Sequence, residues 1–233
     1  LSELNIRNRE VIYMIFDTIL FDLDDTIHDR NRSLCKFVDL FKLKYSDTLD
    51  YNSKLIMKDI FFEIDYQGYK PREEMFKELK DRVSWKYKPD LKELIDFWNV
   101  EFPKCAEPMP NLYNVLDYFI DKNIKMGIVT NGNSDFQNAK IDKLNLRKYM
   151  KTIIISEEIG IRKPDPKIFH LALSKINSNN KTTLFVGDNS LIDIKGAIDS
   201  SLIPIWLSHG QEWNIKNYIP KYIINNISEL MQI

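Results

Sequence analysis

Apolar residues recur along this chain with two different periods. Between residues 31 and 102 the spacing is helical: Leu34, Phe37, Val38 and Phe41, then Ile56, Ile60, Phe61 and Ile64. Met75, Phe76, Leu79, Val83 and Trp85 form a third set, and Leu91, Leu94, Ile95 and Trp98 a fourth. Members of each set lie mostly three or four positions apart, so four amphipathic helices are predicted. Pro71 and Pro89 stand where the third and fourth would begin, and Pro103, Pro108 and Pro110 mark the way out of the block.

From residue 111 the pattern changes to short apolar runs alternating with helical stretches. Strands are predicted at 124–130, 152–156, 183–186, 203–207 and 222–224, and helices at 112–121, 134–144, 165–176, 191–199 and 227–231. The run at 18–23 has the composition of these strands. Such alternation implies an α/β fold, a Rossmann-like parallel sheet with helices on both faces. The helical block then becomes an insertion after the first strand. The expected organisation is a catalytic core over 14–30 and 103–233, a helical-bundle cap over 31–102, and an N-terminal extension over 1–13. Of the 7 glycines only Gly68 precedes Gly127, which places the tight turns of the scaffold in the second half.

Composition narrows the function classes. With 44% hydrophobic and 29% charged residues the chain has enough apolar surface for a folded core, which excludes disorder. Its 33 basic and 34 acidic side chains nearly cancel, which argues against a partner that is a nucleic-acid polymer. Apolar runs are broken by Asp17 and Asp22, well short of the roughly 18 residues of a membrane span. Arg7 and Arg9 precede a short apolar run, but no small-residue cleavage site follows, so a leader peptide is not expected. Cys35 and Cys105 are too few for a disulfide framework and fit a reducing compartment, hence a cytoplasmic expectation. Cys35 is read as a buried, inert thiol. His28, His170 and His209 show no metal-ligand spacing.

The first strand runs into Asp22-Leu23-Asp24-Asp25-Thr26. Three carboxylates in four positions oppose joint ionisation, so something positive must offset them. Asp22 and Asp24 face one side of an extended chain, at the carboxyl end of a parallel strand where open sheets place ligands. Taken alone, this run reads equally well as a solvated acidic turn. A second apolar strand ends in Gly187-Asp188-Asn189, with Asp193 five residues after Asp188. If both strands are central, Asp22 and Asp188 converge, and paired carboxylates with a backbone carbonyl and waters suit Mg2+. A third strand ends in Thr130-Asn131-Gly132, where a hydroxyl and free N–H groups would cradle a phosphate. Lys163, placed at the start of a helix, gains a reason to be there if it faces these anions.

These four pieces, in this order, resemble the haloacid dehalogenase superfamily of phosphohydrolases, over about residues 17–210. Its DxDx(T/V) motif matches Asp22, Asp24 and Thr26; its strand-end Thr matches Thr130; its lysine matches Lys163-Pro164; and its GDxxxxD matches Gly187, Asp188 and Asp193. The helical insertion resembles the cap of the subfamily with a small helical lid. The resemblance implies that Asp22 is a nucleophile forming an aspartyl-phosphate and that Asp24 is the general acid and base. It further implies Mg2+ held by Asp22, the backbone carbonyl of Asp24 and Asp188, with Asp193 and Asn189 in support. Thr130, Asn131 and Gly132 would hold phosphate oxygens, and Lys163 would neutralise charge. His28, Arg30 and Arg32, where the chain leaves for the cap, are read as surface loop charges in preference to substrate contacts. The implied activity is hydrolysis of small phosphomonoesters, with a nucleoside monophosphate or a sugar phosphate as substrate. Alternatives are a phosphomutase of the same superfamily and a non-catalytic phosphate-binding regulator; a dehalogenase is disfavoured because it lacks the carboxylate of Asp24.

Overall fold

The apolar run at 18–21 forms β1 (Thr18–Phe21), and all four of its side chains are buried. In the computed structural model, which describes residues 16–233, β1 lies at the centre of a six-stranded parallel sheet. The other strands are β2 (Lys125–Thr130), β3 (Thr152–Ile155), β4 (Thr183–Gly187), β5 (Ile203–Leu207) and β6 (Tyr222–Ile224), in spatial order β3-β2-β1-β4-β5-β6. Period-two alternation sends Ile19, Phe21, Met126, Ile128, Leu184 and Val186 to one core, and Leu20, Val129 and Phe185 to the other. Each face is therefore covered, as the near-continuous apolar strands require. The extension expected over 1–13 lies outside the described residues.

The helical block comprises α1 (Arg30–Lys44), α2 (Tyr51–Asp65), α3 (Arg72–Arg82) and α4 (Leu91–Glu101). Asp29 and Asp50 cap the first two by accepting the N–H groups of Arg32 and Ser53. The block has a core of its own, built on Phe37, Phe41, Phe61, Phe76 and Trp98, which reaches Cys105. Its last aromatic, Phe102, stacks on Phe136 of the sheet-bearing part with ring centroids 5.8 Å apart. Cys35 is only partly buried, because its position in α1 lies beside the apolar stripe rather than within it.

After the block come α5 (Leu112–Asp121), α6 (Ser134–Lys143), the short α7 (Ser156–Ile159), α8 (Pro166–Ile176) and α9 (Gly196–Asp199). The helix expected over 191–199 is instead a π-helical turn, Ser190–Lys195, running into α9. Asn189 sets it up by accepting the N–H groups of Leu191 and Ile192. Lys163 precedes α8 by three positions; Asp165 caps that helix, so the lysine is not at its first turn as expected. No helix among the described residues is long and apolar enough to cross a membrane.

Candidate active site

Because β1, β2 and β4 are neighbours and parallel, their carboxyl ends open on the same edge of the sheet. Asp22 follows β1, and its N–H is held by the Val186 carbonyl of β4 at 2.9 Å. A cavity of 240 Å³ lies there, lined by Asp22, Asp24, Thr130, Asn131, Gly132, Lys163, Asp188, Asn189 and Asp193. The structure thus brings every site residue expected from sequence to one crevice. It adds Asp25, Arg30, Gln67, Gly68, Tyr69 and Arg162 to the lining.

Lys163 is 3% exposed, and its ammonium bridges Asp22 Oδ1 at 2.5 Å and Asp193 Oδ1 at 2.6 Å. The other oxygen of Asp193 accepts the Asn189 N–H at 3.0 Å. Gly187 makes this possible, since a Cβ there would meet the Asp193 side chain at 2.5 Å. Among the described residues Asp22 Oδ2 has no hydrogen-bond partner, and the Asp188 carboxylate receives only a long bond of 3.4 Å from Thr26. Asp22, Asp188 and Asp193 each bring a carboxylate oxygen within 4.8 Å of the others. Burial first, and then the neighbouring carboxylates, raise Asp22 to about 7 against the pull of Lys163. The same causes push Asp188 well above the usual carboxylate range.

One buried lysine does not balance three carboxylates, and a hard, oxygen-ligated cation would. With both oxygens of Asp193 already engaged, Asp22 and Asp188 are the side chains free to hold it. The donor set fits Mg2+ as the sequence implied, and Asp193 acts on Lys163 and on the Asn189 backbone.

Asp24 is differently surrounded. Oδ1 lies 2.5 Å from Lys140 Nζ and 2.7 Å from His28 Nδ1, and Oδ2 accepts from Gln137 Nε2 at 3.0 Å. Burial alone would raise this carboxyl, but Lys140, His28 and Arg30 overcome it and hold Asp24 well below the ordinary range. On the far side of the imidazole, Ser33 Oγ donates to the Asp29 carbonyl at 2.6 Å and accepts the Glu107 N–H at 2.9 Å. It therefore accepts from His28 Nε2 at 2.8 Å, so the ring also donates to Asp24 from Nδ1 only as the imidazolium, with both nitrogens protonated.

Thr130 Oγ1 accepts from Gln137 Nε2 at 2.7 Å, and its own proton makes only a long contact of 3.5 Å to the Asn131 carbonyl, which a phosphate oxygen would replace. Asn131 locks two loops together, since its side chain accepts the Lys163 N–H at 2.8 Å and donates to the Lys163 carbonyl at 2.9 Å. Gly132 departs from expectation, because its N–H is donated to Ser156 Oγ at 3.0 Å. Thr130 Oγ1 and the Asn131 N–H remain for a phosphate. Asn189 reaches across to the helical block, donating to Tyr69 Oη at 2.6 Å.

Two of the charges read as surface features are buried. His28 is 0% exposed and Arg30 5%, while Arg32 is exposed as expected. Arg30 forms a two-point ion pair with Asp65, at 2.8 and 2.6 Å, and its guanidinium lies 5.0 Å from the Phe102 ring. Arg72 shares Asp65 at 2.8 Å and donates to the Gly68 carbonyl at 3.0 Å, fixing the turn that overhangs the cavity. Sequence reading also passed over Lys140 and Gln137. The signal was there: on the buried face of α6, polar Gln137 and Lys140 stand three apart beside Ile141.

Comparison with known proteins agrees with this geometry. Residues 19–203 match the family model described as haloacid dehalogenase-like hydrolase. The chain is 35% identical over 131 residues to pyrimidine 5'-nucleotidase YjjG of Escherichia coli, covering 56% of this chain and 58% of that protein. It is 24% identical to glyceraldehyde 3-phosphate phosphatase of Methanopyrus kandleri, over 92% of this chain and 95% of that one. A magnesium-bound crystal structure of the putative HAD-hydrolase YfnB from Bacillus subtilis superposes with a TM-score of 0.75 at 25% identity, covering 94% of this chain and 98% of that one. Four motifs on one edge of a parallel sheet and a family model spanning most of its length place this chain among the haloacid dehalogenase-like hydrolases.

Proposed function

We propose that this protein is a Mg2+-dependent phosphatase that hydrolyses small phosphomonoesters through an aspartyl-phosphate on Asp22. Asp22 Oδ2, unengaged by any described residue, is the attacking atom: it forms a bond to phosphorus as the ester P–O bond breaks. Asp24, ionised before substrate binds, takes a proton from solvent when the phosphate's negative charge is brought beside it. It gives that proton to the departing alkoxide and then takes one from the water that cleaves the acyl phosphate. Thr130 Oγ1 and the Asn131 N–H hold phosphate oxygens, and Lys163 offsets charge beside the nucleophile. Held by Asp22, the Asp24 carbonyl and Asp188, Mg2+ would supply electrostatic relief between the nucleophile and the phosphate dianion.

The observation that carries this reading is the second carboxylate. A nucleophilic aspartate alone also serves displacement of halide, whereas Asp24, fixed in the same cavity, gives the site a group for moving protons. A volume of 240 Å³ between the sheet edge and the turn at 66–69 favours a small substrate. Gln67 and Tyr69 on that turn, with Arg162 also in the lining, offer amide, phenol and guanidinium groups to a hydroxylated leaving group. Nucleoside monophosphates and sugar phosphates both have this chemistry, and the similar proteins from E. coli and M. kandleri bear names for one of each kind.

The test is phosphate release from p-nitrophenyl phosphate and from a panel of nucleotides and sugar phosphates, with Mg2+ and with EDTA. Multiple-turnover release that EDTA abolishes and Asp22→Asn removes is expected. Transfer of phosphate between substrate positions without release would overturn the hydrolase reading in favour of a mutase.

A further inference from the structure

Lys140 has no part in the chemistry above, and its surroundings ask for one. Its side chain is 1% exposed, and among the described residues its one ion-pair partner is Asp24. A buried ion pair of this kind is a weak stabilising device, because desolvating two charges offsets most of their attraction. Burial pulls the Lys140 ammonium toward neutrality, and Asp24 opposes it. What the lysine does achieve is geometric. Asp24 is gripped at Oδ1 by Lys140 and His28 and at Oδ2 by Gln137, so neither oxygen can rotate without breaking a contact. Gln137 donates through the same nitrogen to Thr130 Oγ1, which ties the Asp24 carboxyl to the hydroxyl expected to hold phosphate. Gln137 and Lys140 are neighbours on one face of α6, whose position is set in turn by Asn133, which caps it.

We propose that Lys140, with Gln137, is a positioning residue for Asp24, holding the carboxyl that moves the proton in a fixed orientation beside Thr130. This rests on the reading of Asp24 as the general acid and base. The consequence is selective. Loss of the clamp harms steps that need proton transfer, which are departure of a poor leaving group and attack by water. It leaves phosphate binding and departure of an acidic phenol nearly untouched.

The experiment uses the full chain with Mg2+ and compares Lys140→Met, Asp24→Asn and the double variant. Substrates are an alkyl phosphate and p-nitrophenyl phosphate, with inorganic phosphate as a competitive probe of binding. For Lys140→Met we expect kcat on the alkyl ester to fall by about 10²-fold, near the lower end of what a positioned acid contributes. The rate of the p-nitrophenol burst should change by no more than about threefold, as should KM and the phosphate inhibition constant. The double variant should be no slower than Asp24→Asn, since a clamp has nothing to hold once the carboxyl is gone. Gln137→Leu should show the same leaving-group signature, smaller in size, and carries the test if Lys140→Met does not fold.

Equal losses on both substrates, a raised phosphate inhibition constant, or additive losses in the double variant would each overturn the positioning role. If Asp24→Asn shows no leaving-group dependence, the acid–base reading fails beneath it. If Asp24→Asn shows it and Lys140→Met does not, only the clamp is wrong.

Discussion

Replacing Asp22 with Asn should make the metal-free protein more stable above neutral pH while removing its turnover. Burial first, then the carboxylates of Asp193 and Asp24, raise the Asp22 carboxyl from 3.8 to about 7 despite Lys163. The unfolded chain gives up this proton near the ordinary aspartate value, whereas the folded chain retains it until about pH 7. Between those limits the folded state binds more protons, so stability falls as pH rises through that window. Above it the whole penalty is present, of order 4 kcal/mol at about 1.4 kcal/mol for each tenfold difference in proton affinity. An asparagine of nearly the same shape carries no charge to desolvate and can still accept from Lys163, which retains Asp193 as its partner.

In a domain of this size each kcal/mol moves the melting temperature by about 2–4 °C, so the variant should melt about 10 °C above the parent at pH 8 in EDTA. By pH 5 the gap should narrow, because the parent's carboxyl is then mostly protonated. Adding Mg2+ at pH 8 should raise the parent more than the variant, since the cation binds the folded, ionised site. Thermal unfolding followed by circular dichroism, at both pH values with and without Mg2+, measures all of this. A variant no more stable than the parent at pH 8 in EDTA would refute the argument. So would a gap between them that does not grow from pH 5 to pH 8.

Lys163→Met strands Asp22, Asp188 and Asp193 without their buried cation; it should cost about 3–5 kcal/mol in metal-free urea unfolding at pH 8 and bring phosphate release to background. Gly68→Ala forces a side chain onto a φ of +84°, with its Cβ 2.9 Å from the Arg30 guanidinium. We expect it to cost about 1–2 kcal/mol, and to raise KM more than it lowers kcat because Gln67 and Tyr69 stand on the same turn; steady-state kinetics reads the split.

The parts of this protein that were legible in its sequence are those whose cause is local. β1, β2 and β4 announce themselves because each is a short apolar run ended by a polar residue, and Asp22, Thr130 and Asp188 are those ends. Their convergence follows from parallel pairing alone. Arg30 and Lys140 were illegible for the opposite reason. A charged side chain is read as solvated unless its partner is in view, and Lys140 is 116 positions from Asp24 while Arg30 is 35 from Asp65. The π-helical turn was hidden likewise, since the apolar spacing over 191–199 fits an ordinary helix and only the bond from the Asn189 N–H to Asp193 shows where the carboxylate must point.

The same separation explains how the site is balanced. Asp22 and Asp24, two residues apart and alike in type, face opposite electrostatic demands: Asp22 is raised and Asp24 is held low. Within their own segment only His28 favours one of them, 2.7 Å from Asp24 Oδ1. The rest of the difference comes from later elements. Lys163, in the turn before α8, divides its charge between Asp22 and Asp193, whereas Lys140 on α6, among the described residues, forms its ion pair with Asp24 alone, with His28 and Gln137 beside it. One lysine spread over a cluster of carboxylates leaves a deficit that a divalent cation can fill, and one lysine given to a single carboxylate leaves none. In the proposed mechanism two identical side chains thereby acquire the two roles of nucleophile beside the metal and proton carrier, from later elements that the first strand meets only when the sheet is assembled.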